Sequence, residues 1–420
     1  MIETDYLILG AGPAGTWAVR GIRHEDKEGR IVIAGSDPRR AYSLPMLSKG
    51  YIQGRYPEEK LYLVKEDFYE SNGAMFIRGD GAAGVDTERM LAELEDGREI
   101  SYRKLLISTG GSPLELPVPG AGLRRIYYLR TLDDAHMIKS ACGSAKSAVV
   151  IGGGFIGVEL AAALRERGLS VKLIMPEDYV WQPLMPEALG KYITGILEEH
   201  GIEIFPRQTV EAFGGNDELA ESVITADGGV FEADVFGVGA GIKLNTGFLE
   251  GSRIETAKGV LVDKYLETNI EGVFAAGDVA EFEDVILGVR HVTGHIENAQ
   301  HQGGTAGRNM AGAGEEYARV TGYDTEVFGT SLVFMGAPGY GHEHVIRGDA
   351  GKPLGSFSFR DGKLVGAVLV NPGGKELRAL REIIGMRDAR VFKNRDSLSD
   401  PAVDIAALAE EMKGENGWEG

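Results

Sequence analysis

Cysteine is almost absent: among 420 residues only Cys142 carries a thiol. One thiol can form neither an intramolecular disulfide nor a cysteine-based metal site, and no metal is expected. A lone cysteine also fits a reducing compartment. Basic residues are in deficit, with 44 Lys and Arg against 63 Asp and Glu and a formal net charge of −19. That balance argues against nucleic acid, whose phosphates demand a basic footprint. It argues equally against an anionic membrane surface, and it favours solubility. No apolar run reaches the roughly 18 residues that would suggest a membrane span. Residues 5–9 run straight into a glycine turn, so they read as a strand and not as the core of a signal peptide. A cytoplasmic protein is expected.

Glycine, by contrast, is abundant. The chain holds 61 glycines, more than average usage of about 7% would give, and they follow no collagen-like period. Many sit between an apolar strand and a helix. Residues 6–9 read as a buried strand, 10–15 as a turn, 14–23 as a helix and 30–34 as a second strand. The plan returns later, with strand 148–151, turn 152–157, helix 158–167 and strand 170–175. Two βαβ units of one design imply parallel sheets and an internal repeat of nucleotide-binding type. Residues 104–108 and 272–276 read as further buried strands. From about residue 323 the texture changes to short alternating segments, such as 356–359 and 363–370, separated by turns such as Arg360-Asp361-Gly362. These read as antiparallel sheet. A charged helix over 375–384 and an amphipathic helix over 401–413 close the chain.

Both turns carry the pattern that a dinucleotide requires. In Gly10-x-Gly12-x-x-Gly15 the first glycine makes the tight turn. The second lets backbone approach a pyrophosphate, and the third lets helix pack on strand. The helix N-terminus then faces the phosphates with unpaired N–H groups. Pro13 and Ala14 complete this candidate contact. The second turn is Gly152-x-Gly154-x-x-Gly157, with Phe155 and Ile156 inside it. An acidic ribose ligand should follow about 20 residues on, at the end of the next strand. For the first unit the candidates are Asp37 and, at the more usual position, Ser36; Asp37 also reads as a turn residue before Pro38. For the second unit the candidate is Glu177, which otherwise is a loop carboxylate. No arginine lies between Val171 and Val180, so NADH is favoured over NADPH.

With these two turns, the chain resembles the two-dinucleotide-binding-domain flavoproteins, the FAD-dependent pyridine nucleotide oxidoreductases. Within them it looks like the group of putidaredoxin, rubredoxin and biphenyl-dioxygenase ferredoxin reductases and apoptosis-inducing factor. Tyr42-Ser43-Leu44-Pro45-Met46-Leu47-Ser48-Lys49 resembles that group's Y-x-R-P-x-L-S-K segment, and Thr109-Gly110 its A-T-G turn. Gly152 through Glu159 resembles its NADH turn, and Gly277-Asp278 its FAD-closing G-D motif. Asn298-Ala299-Gln300, leading to Asn309, resembles the helix beneath the flavin. Residues 396–407 look like the end of the group's C-terminal domain. The resemblance implies FAD on the first turn, closed by Asp278, and NADH on the second. It puts Lys49 near the flavin and Glu159 near the nicotinamide, where the two charges could pair; Glu159 also reads as a first-turn helix carboxylate favoured by the dipole. His295, just before the Asn298 helix, could approach the flavin or cap the helix. The implied fold is α/β and glutathione-reductase-like, with two Rossmann-like domains and a C-terminal α+β domain. Residues 1–113 and 244–320 would hold FAD, 114–243 NAD(H), and 321–420 would form the antiparallel C-terminal domain.

The departures from the pattern are informative. Leu44 replaces the group's arginine, and Gly241-Ile242-Lys243-Leu244-Asn245 replaces its G-x-x-P-N turn. Its F-W-S-D segment is absent, and Val327-Phe328-Gly329-Thr330 stands roughly there. Disulfide reductases of related design place C-x-x-x-x-C after the first βαβ unit; here that stretch offers only Ser43 and Ser48. A thiol relay is excluded, Cys142 reads as structural, and the implied chemistry is hydride transfer from NADH to FAD without a general base. The implied acceptor is a small carrier such as ferredoxin or rubredoxin. A redox-responsive binding role like that of apoptosis-inducing factor, and a small acceptor such as quinone or oxygen, stay open. Arg378, Arg381, Arg387, Arg390, Lys393 and Arg395 form a locally basic stretch that could dock an acidic carrier. A homodimer is compatible with all of this.

Overall fold

The structure is a computed structural model that describes residues 1–349, 351–386 and 395–415. The chain divides into two compact units. One comprises Met1–Leu44, Glu58–Ser112 and Ile242–Arg319; the other comprises Pro45–Pro57, Pro113–Gly241 and Val320–Gly420.

In the first unit, strand Ile2–Leu9 pairs in parallel with Ile31–Gly35 on one side and Glu99–Ile107 on the other. Ala74–Arg78 extends the sheet beyond Ile31–Gly35, and Val273–Ala275 pairs in parallel with Glu99–Ile107. Where both faces of the sheet are covered the strands are apolar, as at Tyr6-Leu7-Ile8-Leu9, Ile31–Gly35 and Leu105-Leu106-Ile107. Leu7, Ile8, Ile33, Leu105 and Leu106 are all fully buried. Such a side chain contributes about 1.5–3 kcal/mol by leaving water. Helix Pro13–Glu25 packs against helix Ile296–Met310 at backbone distance. A Cβ added at Gly303 would stand 2.0 Å from the Ala14 carbonyl oxygen, and one at Gly307 would stand 2.3 Å from that of Ala18. The seam of small residues fixes both helix N-termini.

In the second unit, five parallel strands lie in the order Ile202–Phe205, Ser170–Ile174, Ser147–Ile151, Val235–Val238, Ile126–Tyr128. A five-stranded antiparallel sheet runs Gly322–Val327, Thr330–Gly336, Lys363–Val370, Lys352–Arg360, Glu343–Asp349. The α/β class and the antiparallel C-terminal sheet are as expected from the sequence. A three-stranded ribbon over Val210–Gly215, Ala220–Thr225 and Val230–Glu232 was not expected.

Two helix boundaries differ from the expectation. The second dinucleotide helix starts at Phe155 and not at residue 158, because Gly154 already serves as its N-cap with extended backbone. The closing helix starts at Ile405, not at Pro401. The buried Arg347 guanidinium takes the carbonyls of Leu398, Asp400, Pro401 and Val403 at 2.9–3.2 Å. Carbonyls spent on an arginine cannot build a helical ladder.

Candidate functional site

The first glycine turn is shaped by close approach. Gly10 has φ +111°, and a Cβ there would lie 2.2 Å from the Ser108 carbonyl oxygen. A Cβ at Gly15 would lie 2.0 Å from the Gly10 carbonyl oxygen, so neither position accepts a side chain. Gly12 is the opposite case: nothing lies within 4 Å of a Cβ placed there. It is the N-cap of helix Pro13–Glu25 and offers no side-chain cap, so the first N–H groups face that open space. This cradle fits a pyrophosphate, and Gly12, Pro13, Ala14 and Gly15 could hold one.

Beyond it, Asp37 accepts from the Arg39 backbone N–H at 2.9 Å and from the Tyr42 hydroxyl at 2.7 Å, which makes it a turn residue. Ser36 is exposed at the strand end. The Thr109-Gly110 turn is clasped by Asn245, whose amide donates to the Thr109 carbonyl at 3.0 Å while Thr109 Oγ1 donates to the Asn245 carbonyl at 2.8 Å. Leu244 in place of proline therefore leaves the asparagine in position. Gly277 N–H donates to the buried Gln302 Oε1 at 2.9 Å, which fixes the strand end before Asp278; Gln302 Nε2 is buried with no hydrogen-bond partner. The Asn298 side chain is committed, donating to the Thr293 carbonyl at 3.0 Å and accepting from the Tyr317 hydroxyl at 2.8 Å. Asn298 and Ala299 lie in the first turn of helix Ile296–Met310, whose N-cap is His295; the His295 side chain makes no capping hydrogen bond.

The second glycine turn repeats the first. A Cβ at Gly157 would lie 1.9 Å from the Gly152 carbonyl oxygen, one at Gly152 would lie 2.4 Å from that of Gly239, and Gly154 opens on space with nothing within 4 Å. At the end of strand Ser170–Ile174, Glu177 Oε2 is buried with no hydrogen-bond partner. A buried carboxylate oxygen left unmet is costly unless a donor arrives. A ribose hydroxyl is such a donor, and the residues fit a dinucleotide. Sequence reasoning missed a neighbour: the Arg207 backbone N–H donates to the Glu177 carbonyl at 3.1 Å, and Arg207 Nε stands 3.7 Å from Asp178. The arginine comes from the end of the adjacent strand, outside the window in which one was sought.

Three segments of the second unit converge on Glu159. The carboxylate is buried, and with the helix starting at Phe155 it sits past the first turn, so the dipole reading does not apply. Ser48 Oγ donates to its Oε2 at 2.5 Å, and Thr325 Oγ1 donates to its Oε1 at 2.7 Å. Lys49 Nζ lies 3.6 Å from Oε1 and donates to the Asp324 carbonyl at 2.6 Å. Phe155 packs its ring against Trp181, Tyr323 and Phe334 at 5.1–5.6 Å. Burial pushes the Tyr323 hydroxyl pKa well up. Ser48 and Thr325 were not singled out from sequence. Strand Gly322–Val327 reaches this cluster through Thr325, while Phe328 in the 327–330 turn stacks on His200 at 4.2 Å.

Cys142 is buried, and burial pushes its thiol pKa up. Among the described residues no group of His, Cys, Asp and Glu could hold a metal, and no helix is long and apolar enough to cross a membrane. Of the basic stretch, Arg387, Arg390 and Lys393 lie outside the described residues.

The sequence pattern of the pyridine nucleotide-disulphide oxidoreductase family matches residues 4–303, and that of the reductase C-terminal family matches residues 325–409. The chain is 30% identical over 370 residues to the benzene 1,2-dioxygenase system ferredoxin–NAD(+) reductase subunit of Pseudomonas putida, covering 87% of this chain and 88% of that one. It is 29% identical to a probable ferredoxin reductase of Castellaniella defragrans, covering 96% and 98%. The crystal structure of the ferredoxin reductase for the CYP199A2 system of Rhodopseudomonas palustris superposes with a TM-score of 0.90 at 26% identity, covering 97% of this chain and all of that one. The chain belongs to the pyridine nucleotide-disulphide oxidoreductase family, as an FAD-dependent NAD(P)H oxidoreductase with a reductase C-terminal domain.

Proposed function

We propose that this chain accepts hydride from NADH and delivers electrons to a small redox protein of the ferredoxin or rubredoxin kind, in the cytoplasm. The observation that carries the nucleotide half is Glu177 Oε2, buried and unpaired at the strand end beside the open Gly154 turn. A carboxylate there accepts hydrogen bonds from a ribose diol and repels a 2′-phosphate. FAD, when bound by these residues, would supply the redox chemistry that links a two-electron hydride donor to a one-electron carrier.

The residues of the chain bind and orient. Gly10, Gly12, Pro13, Ala14 and Gly15 receive the FAD pyrophosphate, with Ser36 and Asp37 at its ribose end and Thr109, Gly110, Gly277, Asp278, Asn298 and Ala299 along the rest. Gly152, Gly154, Phe155, Ile156, Gly157 and Glu177 receive NADH. Lys49 and Glu159 orient the nicotinamide beside the flavin, and His295 lies at the flavin end of its helix. In this reading residues 1–113 with 244–320 bind FAD, 114–243 bind NADH, and 321–420 receive the carrier. The acceptor class rests on the relatives, among them the two ferredoxin reductases named above.

Anaerobic rapid mixing with NADH, followed by a ferredoxin or a rubredoxin, tests the proposal. Rapid bleaching of the flavin and rapid reoxidation by the carrier are expected. A stable long-wavelength band that no carrier discharges contradicts it and favours a redox-responsive binding protein.

A further inference from the structure

Glu159 is only 7% exposed, yet both of its oxygens are engaged. Ser48 occupies Oε2, while Thr325 and Lys49 share Oε1. An ionised carboxylate offers about four lone-pair sites; the two hydroxyls take one on each oxygen and the Lys49 ammonium stands 3.6 Å from Oε1, which leaves one clear of donors, on Oε2. The terminal torsion of a glutamate is broad, and a lysine on a single oxygen does not fix it. Two hydroxyls from different segments, one on each oxygen, do. Both come from outside the Glu159 helix: Ser48 precedes Lys49 in the Leu47–Tyr51 turn, and Thr325 lies in strand Gly322–Val327. Both are 1% exposed, so water does not replace either hydroxyl when it is removed. The same strand anchors Lys49 through the Asp324 carbonyl, one residue before Thr325.

We propose that Ser48 and Thr325 are positioning residues that hold the Glu159 carboxylate so that its remaining lone pair meets an N–H donor of the nicotinamide carboxamide. The proposal rests on the reading that NADH binds the second glycine turn with its nicotinamide beside Glu159. The two hydroxyls fix the carboxylate before the nucleotide arrives, and a preset acceptor costs less entropy on binding than a rotating one.

The test uses the FAD-loaded enzyme with NAD+ and NADH as probes. Thr325→Val keeps the shape and removes the hydroxyl; Thr325→Ser restores it. Loss of one donor to the carboxylate should weaken NAD+ binding to the reduced enzyme about tenfold. The long-wavelength charge-transfer absorbance should fall with it, at unchanged FAD content. Thr325→Ser should recover both. Unaltered NAD+ affinity and absorbance in Thr325→Val, or failure of Thr325→Ser to rescue them, overturns the proposal. Should Thr325→Val lose FAD, Ser48→Ala reads the other oxygen: the same direction of change supports the proposal, and unchanged binding overturns it. The wild-type arm separates the two levels. A wild-type enzyme that NADH fails to reduce defeats the proposed function, whereas a wild-type that is reduced beside an unaffected Thr325→Val defeats only the positioning role.

Discussion

Lys49 Nζ lies 3.6 Å from Glu159 Oε1, although the two belong to distant parts of the chain. Lys49 is carried by a short segment, Pro45–Pro57, that leaves the first unit and packs within the second. The pair is partly buried, so each charge depends on the other for compensation. Removing one partner of such a pair costs more than the pair itself contributes.

The glycine turns separate folding from binding. Gly12→Ala and Gly154→Ala introduce a Cβ into open space at φ −72° and −81°, so as cofactor-free proteins both variants should melt within about 1 kcal/mol of the parent. Gly12→Ala should lose FAD, and Gly154→Ala should stay yellow while losing NADH affinity. Gly15→Ala and Gly157→Ala drive a Cβ to about 2 Å from a carbonyl oxygen and should fail to fold well. Melting curves with cofactor absorbance decide it. Normal FAD binding by Gly12→Ala would sink the cradle assignment.

Glu177 sets nucleotide choice. Glu177→Ala should raise KM for NADH about tenfold to a hundredfold, the worth of hydrogen bonds to a charged group. Use of NADPH should suffer less, because the repulsion of a 2′-phosphate is gone and Arg207 stands beside the site. The ratio of kcat/KM for the two nucleotides measures this. An unchanged ratio contradicts the ribose assignment.

The glycine turns, the parallel units and the terminal antiparallel sheet were legible in sequence because each has a local signature: a fixed spacing, an unbroken apolar run, an alternation. Lys49 and Glu159 were found through family motifs. Ser48 was quoted within a motif without a role, and Thr325 reads as one more inward position of a strand. Their joint approach to Glu159 depends on three segments folding together, and no spacing records it. Arg207 escaped for the same reason, since parallel neighbours in a sheet are remote in sequence. The start of the last helix was missed because Arg347 lies far from the carbonyls it takes.

Cys142 should be a bystander. Burial raises its thiol pKa, which lowers the thiolate fraction at neutral pH. Cys142→Ala should keep full NADH-dependent activity, and a thiol reagent should label the native enzyme slowly. Loss of turnover in Cys142→Ala would contradict the absence of thiol chemistry.

Tyr102 shapes the alkaline limit of stability. Its hydroxyl is buried with no hydrogen-bond partner, and burial pushes its pKa up from 10.0 to about 12. The unfolded chain releases this proton first, so the contribution is whole below pH 10 and is lost as pH rises from 10 toward about 12. Tyr102→Phe should be neutral or stabilising by about 1 kcal/mol and should flatten the fall of Tm above pH 10. A marked loss of stability at neutral pH would show that the hydroxyl is satisfied.

Anaerobic titration of the FAD-loaded enzyme with NADH tests the central claim most directly. With no thiol pair in the chain, the flavin is the sole store of electrons. One equivalent of NADH per FAD should complete the bleaching, with no further uptake. A second equivalent consumed, or a flavin that NADH leaves oxidised, would contradict it.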